Sequence, residues 1–329
     1  MTGLDLSGFI RLSGLDQVPD TLKRCAVAIG NFDGFHRGHQ HVFEVLKERA
    51  RERGVPAVVL TFEPHPRDVF APEPVMFRLT GADAKARLAE ALELDGIVVL
   101  RFDRAFSQIE ADEFVSRFLI RALDVSRVIV GEDFHFGRNR RGTPDYLRQA
   151  GVEQGFVVET LDLLEQDTGP ISSSRVREAL RRGNLDTANG LLGYHWFLEG
   201  EVVVGDRRGR ELGFPTANMA TPAVFDLAQG VYAVRARLGE RLFNGVASYG
   251  KPMFNNERPP FETWLFDFDE DIYGHHLSVA LIGHVRGQRV FSGVDALIAA
   301  VRRDADAARA VLATAGPISD LDRALGFFG

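Results

Sequence analysis

The stretch Ile29–Gln40, I-G-N-F-D-G-F-H-R-G-H-Q, constrains the fold more than any other part of the chain. It follows an apolar run, Cys25–Ile29, and passes through a glycine-rich turn. It then enters a segment in which Val42, Val45 and Leu46 recur at helical spacing. A strand that runs through glycine into a helix aims unpaired backbone N–H groups at whatever occupies the turn, which makes an anion site. His36 and His39 fall where the helix begins, and Gly38 between them removes a side chain that would hold a phosphate away. Histidine donors, backbone N–H groups and a helix dipole converging on one point suit a phosphoryl group that gains charge in a transition state. On its own H-x-G-H fits surface histidines capping a helix equally well, so the rest of the chain must decide.

A chain of 329 residues is too long for one ordinary core, and two domains are expected, 1–188 and 189–329. Its apolar share of 45% and charged share of 26% are those of a soluble globular protein. The net charge of −7 argues against nucleic acid as a partner, because phosphate backbones are bound by basic surfaces. Cys25, the single cysteine, sits in an apolar run and reads as core packing. No apolar stretch is long enough to cross a bilayer and no signal peptide is recognisable. The expected location is the cytoplasm, away from any membrane.

Short apolar runs alternate with helical stretches through the first half. Strands are expected at Cys25–Ile29, Ala57–Thr61, Gly96–Leu100, Arg127–Val130 and Phe156–Leu161, and helices near His39–Arg53, Asp83–Leu92, Ala105–Ile120 and Asp145–Gln149. That alternation predicts an α/β, Rossmann-like domain with a parallel sheet, whose ligands bind beyond the carboxyl ends of the strands. The unusual residues stand at those ends: the histidine turn, then T-F-E-P-H-P at Thr61–Pro66, then G-E-D-F-H-F-G at Gly131–Gly137. After the fifth strand, I-S-S-S-R-V-R at Ile171–Arg177 opens another helix. Its serines and arginines make a second phosphate-binding point, with Ser173, Ser174 and Arg177 preferred.

From Trp196 the pattern changes to β-like runs separated by glycine turns, at Trp196–Val204, Val231–Leu238, Arg241–Tyr249, Phe261–Phe268 and Leu277–His284. This spacing predicts an antiparallel sandwich or small barrel, closed by helical tail segments Val294–Arg302 and Asp304–Leu312. Within Gly205–Asn218, G-D-R-R-G-R-E-L-G-F-P-T-A-N, the Thr216 hydroxyl and Asn218 carbonyl project the same way on extended backbone. With a nucleotide's phosphates they could complete the coordination of Mg²⁺; a loop satisfying its own backbone is the other reading. On a period of two, Glu262 shares an apolar face with Trp264, Phe266 and Phe268. Burial there would raise its pKa toward that of a general base, whereas a slipped register would leave it solvated.

Five motifs in this order and spacing, G-N-F-D-G-F-H-R-G-H-Q, T-F-E-P-H-P, V-G-E-D-F-H-F-G, I-S-S-S-R-V-R and G-R-E-L-G-F-P-T-A-N, resemble the bacterial bifunctional riboflavin kinase/FMN adenylyltransferases, or FAD synthetases. The resemblance covers nearly the whole chain. It implies a nucleotidylyltransferase domain followed by a six-stranded antiparallel flavokinase β-barrel with a C-terminal helix. It implies ATP-binding and transfer roles for Gly30, Phe32, Asp33, Gly34, His36, His39, Ser173, Ser174 and Arg177. Asp133, Phe134 and Phe136 would line the flavin and nucleotide region, while Gly213, Pro215, Thr216 and Asn218 would hold Mg²⁺ and ATP phosphates. Glu262 would be the base for the ribityl hydroxyl. Riboflavin, FMN, FAD, ATP, ADP and pyrophosphate follow as substrates and products; the oligomeric state stays open. Ser174 stands where the family has Thr. Two further departures, Ser248-Tyr249-Gly250-Lys251-Pro252-Met253-Phe254 and Arg286-Gly287-Gln288, leave open an adenylyltransferase whose barrel binds flavin but phosphorylates slowly.

Overall fold

The computed structural model describes residues 8–162, 164–166, 169–205, 209, 212–250 and 261–328. They form two compact units: residues 8–76 with 80–172, and 173–328 with the short segment Phe77–Leu79.

The first unit is built on a six-stranded sheet in the order β1-β4-β3-β2-β5-β6, comprising Ile10–Ser13 (β1), Ala26–Ile29 (β2), Ala57–Glu63 (β3), Gly96–Arg101 (β4), Arg127–Gly131 (β5) and Val157–Leu161 (β6). Every adjacent pair is parallel, and Glu165–Gln166 (β7) and Gly169–Pro170 (β8) form a separate two-stranded antiparallel sheet. Helices Arg37–Arg53 (α1), Pro66–Phe70 (α2), Ala82–Ala91 (α3), Ala111–Glu113 (α4) and Pro144–Gln154 (α5) fall in the connections, α4 running on as the π-helical turns Phe114–Ala122. With helices in its connections, the sheet buries its central strands on both sides: all of β2 and nearly all of β3 and β4 are inaccessible. Val27, Ile29, Val58, Leu60, Val98, Val128 and Val130 meet Phe114, Phe118 and Leu119 in one core. At about 1.5–3 kcal/mol per buried aliphatic side chain, this layer is the unit's main source of stability. Cys25 lies in it, and burial pushes its thiol up to about 12, so it packs rather than reacts. The expected α/β class is therefore present. The edge strand β1 is an addition that its two apolar residues did not signal.

The second unit opens with helices Ser173–Arg181 (α6) and Leu185–Leu192 (α7). A closed barrel follows, in the order β10-β13-β12-β11-β14-β9, of Phe197–Val203 (β9), Ala217–Met219 (β10), Gly230–Leu238 (β11), Arg241–Tyr249 (β12), Phe261–Leu265 (β13) and His276–Gly287 (β14). Every adjacent pair is antiparallel. This is the six-stranded barrel that the resemblance implied, and closing it leaves no sheet edge to protect. Its interior is filled by Tyr232, Val234, Ala247, Phe261, Thr263, Leu265 and Met219. The tail is one helix, Val294–Thr314 (α8), and not the two segments expected, because Arg303 continues its turns and Asp304 is held by the Arg286 fork at 2.8 and 2.7 Å. A short helix, Asp320–Ala324 (α9), follows. Phe77–Leu79 packs here as well. The Phe77 ring meets Trp196 and Phe225 at 5.9 and 5.4 Å. Trp196 Nε1–H donates to the Leu79 carbonyl at 2.9 Å, and Arg177 Nε–H to that of Phe77 at 2.6 Å.

Asp322 of α9 is fully buried. It accepts from the His195 backbone N–H at 3.0 Å and from that of Ile318 at 3.0 Å, and it pairs with His195 Nδ1 at 2.7 Å. Removing a buried carboxylate with so many partners strands each of them, and breaking a pair of this kind costs about 3–5 kcal/mol. Asp322→Ala therefore lowers the urea midpoint of the second unit. Tryptophan fluorescence reads that transition selectively, since the chain's two tryptophans, Trp196 and Trp264, both belong to this unit.

Candidate active sites

In the first unit the order of the strands reverses at β2: β3 and β4 lie to one side, β5 and β6 to the other. Connections leave β2 and β5 in opposite directions, which opens a crevice at their carboxyl ends. The turn after β2 sits at that point. Phe32, Gly34 and Phe35 take left-handed conformations, at φ 43°, 87° and 40°, and so fold the chain sharply into α1. Two non-glycine residues in that region carry strain that the surroundings must hold. Asp33 does part of the holding: buried, it accepts from the Thr80 N–H at 3.0 Å and hydroxyl at 3.2 Å, while Gly34 N–H donates to Thr80 Oγ1 at 2.9 Å. Its side chain is engaged with the turn itself.

His36 is the N-cap of α1, its Nδ1 accepting from the His39 N–H at 3.4 Å. An accepting Nδ1 leaves the ring proton on Nε2, which makes His36 Nε2–H a donor. The two imidazoles stack at 3.6 Å, and Phe32 stands edge-on to His39 at 5.2 Å. Burial first, then the nearby His36 and Lys85, hold His39 well below the ordinary histidine range, so it is neutral at physiological pH. Gly38 also has a neighbour that the sequence did not show. A Cβ there would come within 3.2 Å of the His36 ring, so the glycine makes room for the histidine. Gly30 does the same for Phe32, whose ring would lie 2.9 Å from an added Cβ.

Beyond β5, Phe136 is buried, with its ring 5.1 Å from Phe114 and 5.6 Å from Phe134, and an added Cβ at Gly142 would lie 2.5 Å from it. Its surface is spent on the core, whereas Asp133 is exposed, as are Glu132 and His135, and Phe134 is half-buried. Three residues here escaped the sequence reading. Thr80 gives no periodic signal. Lys85 is 1% exposed, and its helical spacing with Leu88 and Ala89 put a charge on the apolar stripe of α3, a legible anomaly. Phe70 is 62% exposed and stands perpendicular to Phe102 at 6.2 Å, a free aromatic face at the end of T-F-E-P-H-P-R-D-V-F.

Ser173 and Ser174 occupy the first turn of α6 in the second unit, where Arg177 is 7% exposed. On the barrel, β10 and β13 pair so that Asn218 lies opposite Glu262, which in turn lies opposite Ser248 of β12. Directly opposed residues project from the same face. Asn218, Glu262 and Ser248 thus form one row, with Ser248 Oγ 3.4 Å from Glu262 Oε2, and Thr216 stands just before β10, its carbonyl accepting from Asn218 Nδ2 at 3.4 Å. The expected surroundings of Glu262 are corrected here. The packed face of β13 carries Phe261, Thr263 and Leu265, and Glu262 is half-exposed on the other, outer face with Trp264. Strand geometry ends at Leu265, which breaks the period assumed for Phe266 and Phe268. The row on the outer wall, and not the barrel interior, is the candidate site.

Two described glycines before β10 lie close against these residues. A Cβ on Gly205 would lie 2.5 Å from the Asn218 amide, and one on Gly209 would lie 2.5 Å from the Phe214 carbonyl and 3.3 Å from Thr216 Oγ1. Gly213, at φ 85°, and Pro215 are exposed at the turn into the strand. Two glycines that admit backbone next to a hydroxyl and an amide oxygen suit oxygen ligation of a phosphate-bound divalent ion. Arginines 207, 208 and 210 and the departure 251–254, with Met253, lie outside the described residues. Gln288 is described, and its side chain packs onto Gly250, where a Cβ would come within 2.3 Å of Oε1.

His39 makes the first unit sensitive to acid. The unfolded chain takes up a proton near pH 6.5 that the folded site refuses, so stability is complete above about that pH and is lost as pH falls through the folded value. Urea titrations at about pH 5 and pH 7 show a smaller acid penalty in His39→Asn than in the parent.

Comparison with known proteins reaches both units. Residues 18–175 match the FAD synthetase family model and residues 192–312 the riboflavin kinase model. The bifunctional riboflavin kinase/FMN adenylyltransferase of Escherichia coli K12 is 38% identical over 300 residues, covering 91% of this chain and 95% of the relative. That of Bacillus subtilis strain 168 is 36% identical over 292 residues, 85% and 90% of the two chains. A solved structure named macrolide-efflux protein, from Streptococcus pneumoniae, superposes with a TM-score of 0.77 at 29% identity, covering 92% of this chain and 98% of that one. Its printed name describes that protein; what the two share here is the fold. With identity at this level running through both units, and with both family models matched in order, this chain belongs to the bifunctional riboflavin kinase/FMN adenylyltransferase family.

Proposed function

We propose that this protein is an ATP-dependent transferase that phosphorylates riboflavin to FMN and then adenylylates FMN to FAD, with release of pyrophosphate. The observation that supports the reading is a pair of polar clusters: stacked histidines capping α1 at the strand-order reversal, and Asn218 opposite Glu262 on the barrel wall with Thr216 just before Asn218's strand. Adenylyl transfer is assigned to residues 1–188 and phosphorylation to 189–329. The cytoplasmic setting goes with substrates that are ATP and free flavin.

In the second unit the half-exposed Glu262 accepts the proton of the riboflavin 5′-hydroxyl as that oxygen attacks the γ-phosphorus and ADP leaves. Thr216 and Asn218 hold Mg²⁺, which when bound neutralises phosphate charge. Gly213 and Pro215 shape the loop that covers the nucleotide. In the first unit the FMN phosphate attacks the α-phosphorus of ATP and pyrophosphate leaves. That nucleophile is already an anion, so a base is unnecessary and the work is orientation and charge stabilisation. His36 Nε2–H and the neutral His39 supply donors at the N-terminus of α1. Gly30, Phe32, Asp33 and Gly34 set the turn's shape. Ser173, Ser174 and Arg177 are proposed as the second phosphate contact. Asp133 and Phe134 border the flavin region, and Phe136 supports them from the core. The exposed face of Phe70 suits the flat isoalloxazine ring.

The test is incubation with riboflavin, ATP and Mg²⁺, with flavins resolved by chromatography. The parent makes FAD. In His36→Ala/His39→Ala, FMN accumulates, and FAD formation falls by at least about 10²–10³-fold. Glu262→Ala makes no FMN from riboflavin but still converts supplied FMN to FAD. A chelator stops both reactions and added Mg²⁺ restores them; a rate unchanged by EDTA sinks the metal assignment.

A further inference from the structure

Beneath the histidine turn lies a group that the proposed mechanism does not use. Lys85 of α3 is 1% exposed, and its ammonium group is fully engaged behind the turn. Nζ donates to the Asn31 carbonyl at 2.8 Å and to Thr61 Oγ1 at 3.2 Å, and it pairs with Glu63 Oε1 at 2.9 Å. Thr61 Oγ1 in turn donates to the same Asn31 carbonyl at 3.0 Å. A helix and a strand thus converge on one backbone oxygen, Lys85 coming from α3 and Thr61 from the carboxyl end of β3, where Glu63 braces the ammonium.

An ion pair at this depth is a costly way to fasten a helix to a sheet. Desolvating an ammonium group costs several kcal/mol in practice, about as much as its pairing returns, and an apolar side chain of similar size would pack α3 with less penalty. What an apolar residue cannot do is hold the Asn31 oxygen. Asn31 stands between Gly30 and the left-handed Phe32, where the chain leaves β2 and bends toward α1. In a trans peptide the carbonyl and the following N–H point in opposite directions. Fixing the Asn31 oxygen on Lys85 therefore directs the Phe32 N–H away from the ammonium, and a charge-assisted bond polarises that N–H as a donor.

We infer that Lys85, braced by Glu63 and Thr61, is a positioning residue for adenylyl transfer: it locks the Asn31–Phe32 peptide and places a buried positive charge behind the anion-binding turn. It touches no substrate and acts through the turn. The groups that bear on His39 are its stacked partner His36 from the turn and Lys85 from α3, and among the causes that keep His39 neutral Lys85 follows burial and His36. Lys85 thus links two properties of the site, its shape and its protonation. The inference rests on the assignment of FMN adenylylation to this unit.

The experiment compares the parent with Lys85→Met/Glu63→Gln, which removes both charges and so avoids leaving one buried alone, and with Lys85→Arg. Adenylylation of supplied FMN is measured for kcat and for KM of ATP across pH, with riboflavin phosphorylation by the same sample as the control for folding. The double variant is expected to lose about 10–100-fold in kcat for adenylylation, with phosphorylation unchanged and the acid limb of the profile moved to higher pH. Lys85→Arg, which keeps the charge, is expected to leave the acid limb in place. Adenylylation that stays at the parent's rate and pH profile overturns the inference. A parent that makes no FAD overturns instead the activity assigned to the unit. A reading that needs no turnover then decides on Lys85: NMR titration of the His39 ring rises in the double variant, and an unmoved titration refutes the role.

Discussion

The first site depends on β2 having neither a free edge nor a free face. Hydrogen-bonded to β3 on one side and β5 on the other, and covered above and below, the strand cannot shift, so the residues that leave it cannot shift either. That rigidity is what allows Phe32 and Phe35 to be kept in left-handed backbone. Their strain, on the order of 1–3 kcal/mol each, is borne by Asp33 and Thr80 on one flank and by the aromatic contacts of Phe32, Phe35 and Phe43 on the other. A strained turn anchored in this way presents its amides with little reorganisation left to pay for when charge develops.

The barrel solves the same problem differently. Its reactive groups stand on three adjacent strands and are aligned by register alone. Asn218 and Ser248 both face Glu262 because the antiparallel register of β13 with β10 and β12 sets them directly opposite it. The apolar interior fixes the strands, and the polar row is carried on their outward-pointing alternate residues. In both units the chemistry is borne by the layer next to the core, and the core's task is to keep that layer still.

Much of this was legible in the chain. Strand–helix alternation gave the parallel sheet, and H-x-G-H, expected after a buried strand, stands where the strand order reverses, the one place where the crossovers of such a sheet part. The limits were equally physical. Two-residue periodicity could say that Glu262 and Trp264 share a face, but not which face the barrel would bury. Apolar neighbours were taken as burial, whereas Phe261, Thr263 and Leu265 were the ones turned inward. Gly38 was read for its missing side chain without knowing that the His36 ring lay against it. Asp33–Thr80 and Lys85–Asn31 join residues far apart in sequence, and only tertiary structure brings such partners together.

The placement of Phe77–Leu79 reaches beyond catalysis, to how such a chain can be dissected or recombined. These three residues are packed by Trp196, Phe225 and Arg177, although the residues on either side of them belong to the other unit. A fragment ending at Ser172 carries a phenylalanine stripped of its ring partners. A fragment starting at Ser173 keeps an indole and a guanidinium whose acceptor carbonyls are gone. Swapping halves between relatives is accordingly a matter of several crossovers, and a tripeptide of the donor's own would have to travel with its barrel.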